Sequence, residues 1–307
     1  MKSLHYTLLD VFTAKRFGGN QLAVFHGEEN LSAETMQQIA RELNLSETVF
    51  ICPPRDLTHE KSLRIFTPTV ELPIAGHPTV GAAFVMADRQ LIKTQEGKNE
   101  WVLEELVGAV PVTVFVEGGK AAKVEMTQPL PEFGEKFPKA GLVADLLSLT
   151  SKDLDNRFPA QTVSSGLPFL FIPVRSLDAI RKINFRMDIW ERHFSKHLDT
   201  QNIFVFTTET QERQSTVHSR MFAPAMGIAE DPATGAAGGP LGAYLVTYGG
   251  VPHNSSGIYR IRSEQGFEMK RPSFIDITVT ESAGQFKQVK IGGISVLMGQ
   301  GEIFLPD

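Results

Sequence analysis

A single cysteine, Cys52, stands in the 307-residue sequence. One thiol cannot form an internal disulfide, so this composition is typical of a protein of the reducing cytoplasm. Cys52 ends an apolar run and precedes Pro53, which indicates a position at the end of a buried strand. The sequence therefore predicts a cytoplasmic location and a packing role for Cys52 rather than a nucleophilic one.

Long hydrophobic runs and concentrated charge are also absent. No apolar stretch approaches the roughly 20 residues that span a bilayer, and the N-terminus shows no apolar segment followed by a small-residue cleavage site. The net charge of −5 is not gathered in one run, and no basic patch with interleaved aromatic residues points to nucleic acid. We expect a soluble protein with neither a membrane nor a nucleic-acid partner.

Motifs for metals and nucleotide cofactors are missing as well. The eight histidines include no His-Glu-x-x-His motif, and no Cys/His cluster has the spacing of a zinc site. Neither a GxGxxG sequence nor a Walker loop occurs. We therefore expect no metal and no cofactor.

Two of the helices that hydrophobic periodicity predicts carry no charge. They cover residues 78–87 and 232–248, and a helix that is apolar on all sides must be buried on all sides. A third, amphipathic helix is predicted to begin after the N-cap residue Ser32. The remaining predicted elements are mostly short strands, so the sequence indicates an α+β protein whose two uncharged helices lie at the centre of its core.

A change of composition divides the chain. Several prolines and a glycine between residues 128 and 138 predict a linker between two lobes. The N-terminal lobe is predicted to cover residues 1–128 and to be completed by a strand near 294–307. The C-terminal lobe is predicted to cover residues 129–293.

An internal repeat supports this division. Residues 66–83 read FTPTVELPIAGHPTVGAA and residues 222–237 read FAPAMGIAEDPATGAA. Alignment with a two-residue gap places His77 over Asp231 and Gly81 over Gly235. We infer two lobes, each a curved, mostly antiparallel sheet wrapped around a central helix.

The N-terminal ends of the two uncharged helices are potential anion-binding sites. Pro78 and Pro232 suit the first helical position, and the unpaired N–H groups of a first turn bind anions, including carboxylates. Capping alone explains Asp231, whereas His77 is a poor N-cap and a ligand-facing role explains it better. Because the alignment makes them equivalent, we expect both to face a shared cleft.

Gly81 and Gly235 are predicted to lie inside these helices. A glycine there costs about 1 kcal/mol relative to alanine. Two explanations stay open: close approach of a ligand, or tight packing of the central helix. A further candidate, Glu47, lies at a predicted helix-to-strand junction, where composition alone favours a solvated turn carboxylate.

Six motifs then show a resemblance. They are Gly-Asn at 19–20, Asn-Leu-Ser-Glu-Thr at 44–48, Arg-Ile-Phe-Thr-Pro at 64–68, Ala-Gly-His-Pro-Thr at 75–79, Ser-Gly-Leu-Pro at 165–168 and Glu-Asp-Pro-Ala-Thr-Gly at 230–235. In this order and over nearly the whole chain they resemble the PhzF-like family of phenazine-biosynthesis isomerases. The resemblance implies the diaminopimelate-epimerase fold, with two pseudo-symmetric lobes and an active site between them, and a homodimer.

The resemblance also implies roles for individual residues. Glu47 matches the family's catalytic acid/base, and His77 and Asp231 match its other catalytic residues. The substrate-binding positions are Asn20, Gly76, Ser165, Thr234, Gly235 and Ala236. Related epimerases use a cysteine at the start of each central helix, where this chain has His77 and Asp231, so racemisation by two thiols is not expected.

Two positions depart from the family's pattern. Gln21 replaces a frequent proline, and Ala236 replaces a frequent serine whose hydroxyl would contact substrate. The expected function is a cofactor-independent isomerase that moves a proton on a small carboxylate-bearing metabolite. The alternatives are an amino-acid epimerase or racemase on the same fold and, since Ala236 lacks the hydroxyl, a non-catalytic metabolite-binding or interaction protein.

Overall fold

The computed structural model describes residues 3–27, 31–73 and 76–305. The chain divides into two units: unit 1 comprises Met1–Thr127 and Ile291–Asp307, and unit 2 comprises Gln128–Lys290. The sequence places these boundaries after residue 128 and near residue 294. Among the described residues, no helix is long and apolar enough to cross a membrane.

Strands outnumber helices in both units. The first part of the chain contains β1 (Ser3–Val11), β2 (Asn20–His26), α1 (Ala33–Leu43), β3 (Glu47–Cys52), β4 (Lys61–Phe66), β5 (Glu71–Leu72), α2 (His77–Asp88), β6 (Gly97–Glu105), β7 (Gly108–Glu117) and β8 (Lys120–Gln128). There follow β9 (Glu132–Lys136), α3 (Ala140–Leu146), β10 (Gln161–Ser164), β11 (Pro168–Pro173), α4 (Leu177–Arg181), α5 (Met187–His193), α6 (Leu198–Gln201) and β12 (Ile203–Thr207). The last elements are β13 (Val217–Ala223), β14 (Ile228–Asp231), α7 (Gly235–Thr247), β15 (Ile258–Gln265), β16 (Ser273–Ser282), β17 (Gln285–Gly293) and β18 (Ser295–Phe304).

Both units pair their strands in the same order. In unit 1, β2 is antiparallel to β1 and parallel to β3, while β4 is antiparallel to β3 and β5 and parallel to β6. In unit 2, β11 is antiparallel to β10 and parallel to β12, while β13 is antiparallel to β12 and β14 and parallel to β15. Strand β18 joins β1 as β9 joins β10. The predicted α+β class, with two pseudo-symmetric and mostly antiparallel halves, is confirmed.

Side-chain pairs follow the same repeat. Arg64 of β4 donates from Nε and Nη2 to the carboxylate of Glu71 in β5, both at 2.7 Å. Arg220 of β13 donates in the same way to Glu230 in β14, both at 2.8 Å. Each guanidinium also lies over the phenylalanine two residues later in its own strand. Because bidentate pairs fix orientation as well as distance, each joins its two strands in a defined geometry.

The predicted burial of the first uncharged helix is correct. Helix α2 is buried from His77 through Ala87 and packs against β1, β2, β3 and β7. A Cβ atom at Gly81 would collide with the side chains of Leu22, Leu9 and Val11. Tight packing of the central helix therefore explains Gly81.

The second uncharged helix begins later than predicted. Asp231 closes β14, Thr234 is the N-cap of α7, and Gly235 is the first helical residue. The residue aligned with His77, the first residue of α2, therefore lies four residues before the first residue of α7.

Several regular elements lie where the sequence predicts none, among them β5, β14 and α6. Strand β6, helix α3 and strand β10 were not predicted, and the predicted linker contains β9, flanked by its prolines. The apolar residues of β6 are three consecutive ones, Trp101, Val102 and Leu103. The strand therefore lacks the alternation of apolar and polar residues that predicts a strand. Strand β9 is mostly exposed and owes its place to pairing with β10, which periodicity does not reveal.

Candidate active site

Three predicted site residues come together in unit 1. Asn20 begins β2, Glu47 begins β3 and His77 begins α2. Asn20 Nδ2 lies 3.2 Å from His77 Nδ1, and His77 Nε2 lies 3.2 Å from Glu47 Oε2. All three side chains are buried. Residues from separate motifs thus form one polar cluster in an apolar surrounding.

The hydrogen-bond directions fix the state of His77. An amide nitrogen can only donate, so Asn20 makes Nδ1 of His77 the acceptor and leaves the ring proton on Nε2, facing Glu47. Burial lowers the pKa of His77 to about 3. The ring is therefore neutral near pH 7, and its Nε2 lies 3.2 Å from the Glu47 carboxylate without carrying a charge.

Local structure explains why Glu47 is buried. Asn44 ends α1 in the left-handed conformation, with φ of 50°, and the chain then turns into β3. The parallel pairing of β3 with β2 places Glu47 beside Leu22. Composition alone favours a solvated turn carboxylate here, which is wrong: Glu47 lies in a strand and is 7% exposed.

The start of α2 is linked to a second carboxylate. Gly76 is its N-cap, and its carbonyl accepts from the Val80 N–H at 3.1 Å. In the first turn, the Thr79 hydroxyl donates to the buried carboxylate of Glu105, the last residue of β6. This helix start thus has an acidic group of the chain itself beside it.

Unit 2 holds Asp231 in a different network. The Thr234 hydroxyl donates to Asp231 Oδ2 at 2.6 Å. Gln265 Nε2 donates to the backbone carbonyl of Asp231 at 2.7 Å and to the Thr234 hydroxyl at 2.9 Å, and Gln265 Oε1 accepts from the Thr234 N–H at 3.2 Å. Both donors of Thr234 are therefore engaged within unit 2. The prediction that Asp231 is an N-cap is wrong, because it lies in β14 and Thr234 occupies that position.

The other predicted substrate-binding residues also lie in unit 2. Ser165 follows β10 and is buried, and the adjacent Gly166 adopts a φ of 100°. Gly235 and Ala236 open α7, and their carbonyls accept from the Gln128 side chain at 3.3 and 3.4 Å. Gly235 is thus the first residue of its helix rather than an internal one.

Gln265 has no counterpart in the sequence predictions. A glutamine at a strand end has no signature of its own. The available signal is the repeat, because Gln265 ends β15 as Glu105 ends β6, and each bonds to a threonine near the start of the central helix that precedes its strand.

One pair of histidines has a spacing that metal sites also use. His193 and His197 are four residues apart, but α5 ends at His193. Within residues 3–27, 31–73 and 76–305, no group of three or more His, Cys, Asp or Glu residues could hold a metal ion. Because the helix ends at His193, the two histidines do not lie on one helical face.

Known proteins are similar to this chain over nearly its whole length. The family model described as phenazine biosynthesis-like protein matches residues 9–301. Trans-2,3-dihydro-3-hydroxyanthranilate isomerase of Pseudomonas chlororaphis is 32% identical over 302 residues, which cover 98% of this chain and 99% of that protein.

Solved structures have the same fold. A phenazine biosynthesis protein of the PhzF family from Bacillus anthracis has a TM-score of 0.89 and 26% identity, covering 99% of this chain and 100% of that one. A predicted epimerase from Pseudomonas aeruginosa has a TM-score of 0.80 and 32% identity, with the same coverage. The similarity thus extends to both units.

Proposed function

The chain belongs to the phenazine biosynthesis-like protein family, and we propose that it is an isomerase that shifts a proton within a small carboxylate-bearing metabolite without a cofactor. The observation that carries this proposal is the buried contact of 3.2 Å between Glu47 and His77. The relative from Pseudomonas chlororaphis is named for isomerisation of a hydroxyanthranilate. Anthranilates are carboxylates, which supports the substrate class.

The family resemblance assigns the acid/base role to Glu47, and the buried contact with His77 supports it. An imidazole with a pKa of about 3 is a poor proton acceptor near pH 7. Glu47 therefore removes the proton from a carbon next to an activating group and returns it at another position. His77 Nε2, 3.2 Å from the Glu47 carboxylate, positions that carboxylate, and Asn20 holds the ring from Nδ1.

Unit 2 supplies the remaining groups of the proposal. Asp231 is a further acid/base or positioning group whose carboxylate the Thr234 hydroxyl holds at 2.6 Å. The family resemblance assigns substrate binding to the first turn of α7, where N–H groups favour an anion. Ala236 contributes no hydroxyl there, so we expect a substrate that differs from those of relatives with serine. A homodimer and a cytoplasmic location stay predictions.

The substitution Glu47→Gln tests the acid/base role. The assay incubates trans-2,3-dihydro-3-hydroxyanthranilate, and then small carboxylates with an acidic C–H bond, in D2O and follows deuterium incorporation by mass spectrometry. We expect the exchange rate to fall by at least about 100-fold, the usual contribution of a positioned acid/base group.

The matched control is Glu105→Gln, which also neutralises a buried glutamate in unit 1 but leaves the Glu47–His77 contact in place. It should keep most of the exchange rate. Wild-type exchange in the Glu47→Gln protein would contradict the assignment. Binding of these compounds without exchange by the wild-type protein would instead favour a non-catalytic binding protein.

A second candidate function is epimerisation. The predicted epimerase from Pseudomonas aeruginosa is 32% identical to the chain over 99% of its length. An epimerase inverts one carbon, whereas the proposed isomerase moves a hydrogen between two positions. Chiral chromatography and proton NMR of the product separate the two reactions.

A further inference from the structure

A buried glutamine holds the turn that carries Asp231. The Gln265 side chain is fully buried, and Asp231 and Thr234 are 3% and 5% exposed. The amide of Gln265 makes three hydrogen bonds, all to residues of the turn 231–234, at 2.7, 2.9 and 3.2 Å. Both N–H donors and the carbonyl oxygen of one side chain are thus directed at this turn.

The chemistry of these bonds sets the direction of a proton. The Thr234 hydroxyl accepts from Gln265 Nε2, so its own single proton is directed to Asp231 Oδ2, 2.6 Å away. The amide cannot be reversed, because its oxygen would then face the carbonyl of Asp231. The Asp231 carboxylate therefore receives a hydrogen bond whose donor Gln265 orients.

The backbone of Gln265 is itself fixed. In β15 it pairs with Ser219 on one side and with Ser273 on the other. The next residue, Gly266, has a φ of 79° and lies so close to the turn that a Cβ atom would be 2.6 Å from the Pro232 carbonyl. The turn is consequently held from a rigid strand end and not from a mobile loop.

The equivalent strand end in unit 1 carries a carboxylate instead of an amide. Glu105 ends β6 there and accepts a hydrogen bond from Thr79. A carboxylate can only accept, so a glutamate at position 265 could not donate to both Asp231 and Thr234. Glutamine is the residue of this size that both donates to and accepts from one turn.

We propose that Gln265 is a positioning residue, which fixes the Thr234 proton on the Asp231 carboxylate and so sets the charge state and direction of that carboxylate. The inference rests on the proposed function only in that Asp231 takes part in the reaction. A hydrogen bond to the ionised form stabilises it, so Gln265 keeps Asp231 ionised to lower pH.

The test compares Gln265→Met, Thr234→Val and the double variant in the full chain. The ionisation of Asp231 is followed by carbon NMR of aspartate labelled at Cγ, with its resonance assigned by Asp231→Asn. We expect the pKa of Asp231 to rise by about half a unit or more in each single variant. The double variant should show no further rise, because both changes break one chain of hydrogen bonds.

The matched control is Gln161→Met. Gln161 is also a buried glutamine of unit 2, but it bonds to the Gly134 carbonyl and the Tyr248 hydroxyl. Its substitution should lower the urea midpoint comparably and leave the pKa of Asp231 unchanged. An Asp231 pKa that Gln265→Met does not move, or shifts that add in the double variant, would overturn the inference.

Kinetics separate this inference from the proposed function. With the compound that the wild-type protein exchanges fastest in the D2O screen as the probe, Gln265→Met should lower kcat at least about tenfold while KM changes less than about threefold. Gln161→Met should keep the wild-type kcat. If Asp231→Asn keeps the wild-type kcat, the proposed role of Asp231 fails, while the NMR result still decides whether Gln265 positions it.

Discussion

Burial determines the chemistry of His77. The residue is 2% exposed, and burial lowers its pKa from 6.5 to about 3. Between these values the unfolded chain binds a proton that the folded chain does not, so stability falls as the pH falls. Near pH 7 both states are mostly neutral at this residue and the penalty is small. The neutral histidine beside Glu47 is thus also a source of acid sensitivity.

We expect His77→Gln to make the fold less sensitive to acid. At pH 5 the unfolded histidine is protonated and the folded one is not, which costs the wild type about 2 kcal/mol relative to pH 7. The Glu47 carboxylate, 3.2 Å away, favours the charged ring, so this figure is an upper bound. Urea unfolding at pH 7 and pH 5 measures the difference.

The control for this prediction is His193→Gln, which changes an exposed histidine of α5. Its stability should depend on pH as that of the wild type does. Parallel losses in the wild type and in His77→Gln would show that folding does not lower the proton affinity of His77.

At the residue scale, sequence motifs identify Asn20, Glu47 and His77 as site residues. The motifs do not predict that the three side chains touch one another. Their meeting depends on the parallel pairing of β2 with β3, which local patterns do not reveal. Gln265 was missed because its partners, Asp231 and Thr234, lie more than 30 positions earlier in the sequence. The prediction for Cys52 agrees with its place at the end of β3.

At the scale of a single element, a side chain from outside the helix bonds to the first turn of α7. Gly239 N–H donates to Gln128 Oε1 at 2.9 Å, while Gln128 Nε2 donates to the Gly235 carbonyl at 3.3 Å. The glutamine amide therefore bonds to both members of an i, i+4 backbone pair of this turn. Pro240 has no N–H for the Ala236 carbonyl, and Gln128 Nε2 serves this group too, at 3.4 Å.

We expect Gln128→Leu to destabilise unit 2. The change leaves one buried N–H and two carbonyls without their present partners, and an unsatisfied buried group costs about 1–3 kcal/mol. The loss should be about 2 kcal/mol or more by urea unfolding. Trp190, in unit 2, serves as the fluorescent reporter in a Trp101→Phe background.

Pro240→Ala provides the matched test of this mechanism. Alanine restores an N–H that reaches the Ala236 carbonyl in a regular helix, so Gln128→Leu should cost less in the Pro240→Ala background. Equal costs in the two backgrounds would show that Gln128 does not compensate for the proline.

The sequence predicts that α2 and α7 exist and are buried, because uncharged helical segments have no other stable place. It misplaces the start of α7 because a Pro-containing turn precedes the helix, and the strand β14 extends to Asp231. A letter alignment cannot detect that displacement, since glycine and alanine recur along α7 at several registers.

At the scale of the whole molecule, strand order repeats more faithfully than sequence. The Phe-x-Pro and Gly-Ala-Ala matches indicate two lobes, but the equivalences of β6 with β15 and of β1 with β10 are visible only in the pairings. A strand needs only a partner and an alternation that fits it, so many sequences satisfy the same position. Topology is therefore conserved between the units where letters are not.

Strand β18 completes unit 1 from the far end of the chain. It pairs with β1 at nine positions, from Ser3 with Phe304 to Val11 with Ser295. The chain has two tryptophans, Trp101 in unit 1 and Trp190 in unit 2, and both are buried. Each unit thus carries its own fluorescent reporter.

We expect removal of residues 295–307 to lower the urea midpoint reported by Trp101 more than that reported by Trp190. The deletion turns β1 into an edge strand with unpaired backbone groups and uncovers apolar side chains of unit 1, whereas the pairings within unit 2 are unchanged. Trp190→Phe and Trp101→Phe versions of the truncated chain isolate the two signals. Removal of residues 306–307 alone, which leaves β18 intact, is the control and should move neither midpoint. Equal shifts at both tryptophans would mean that the chain unfolds as one cooperative unit, because only shared cooperativity passes the loss of a unit 1 strand to Trp190.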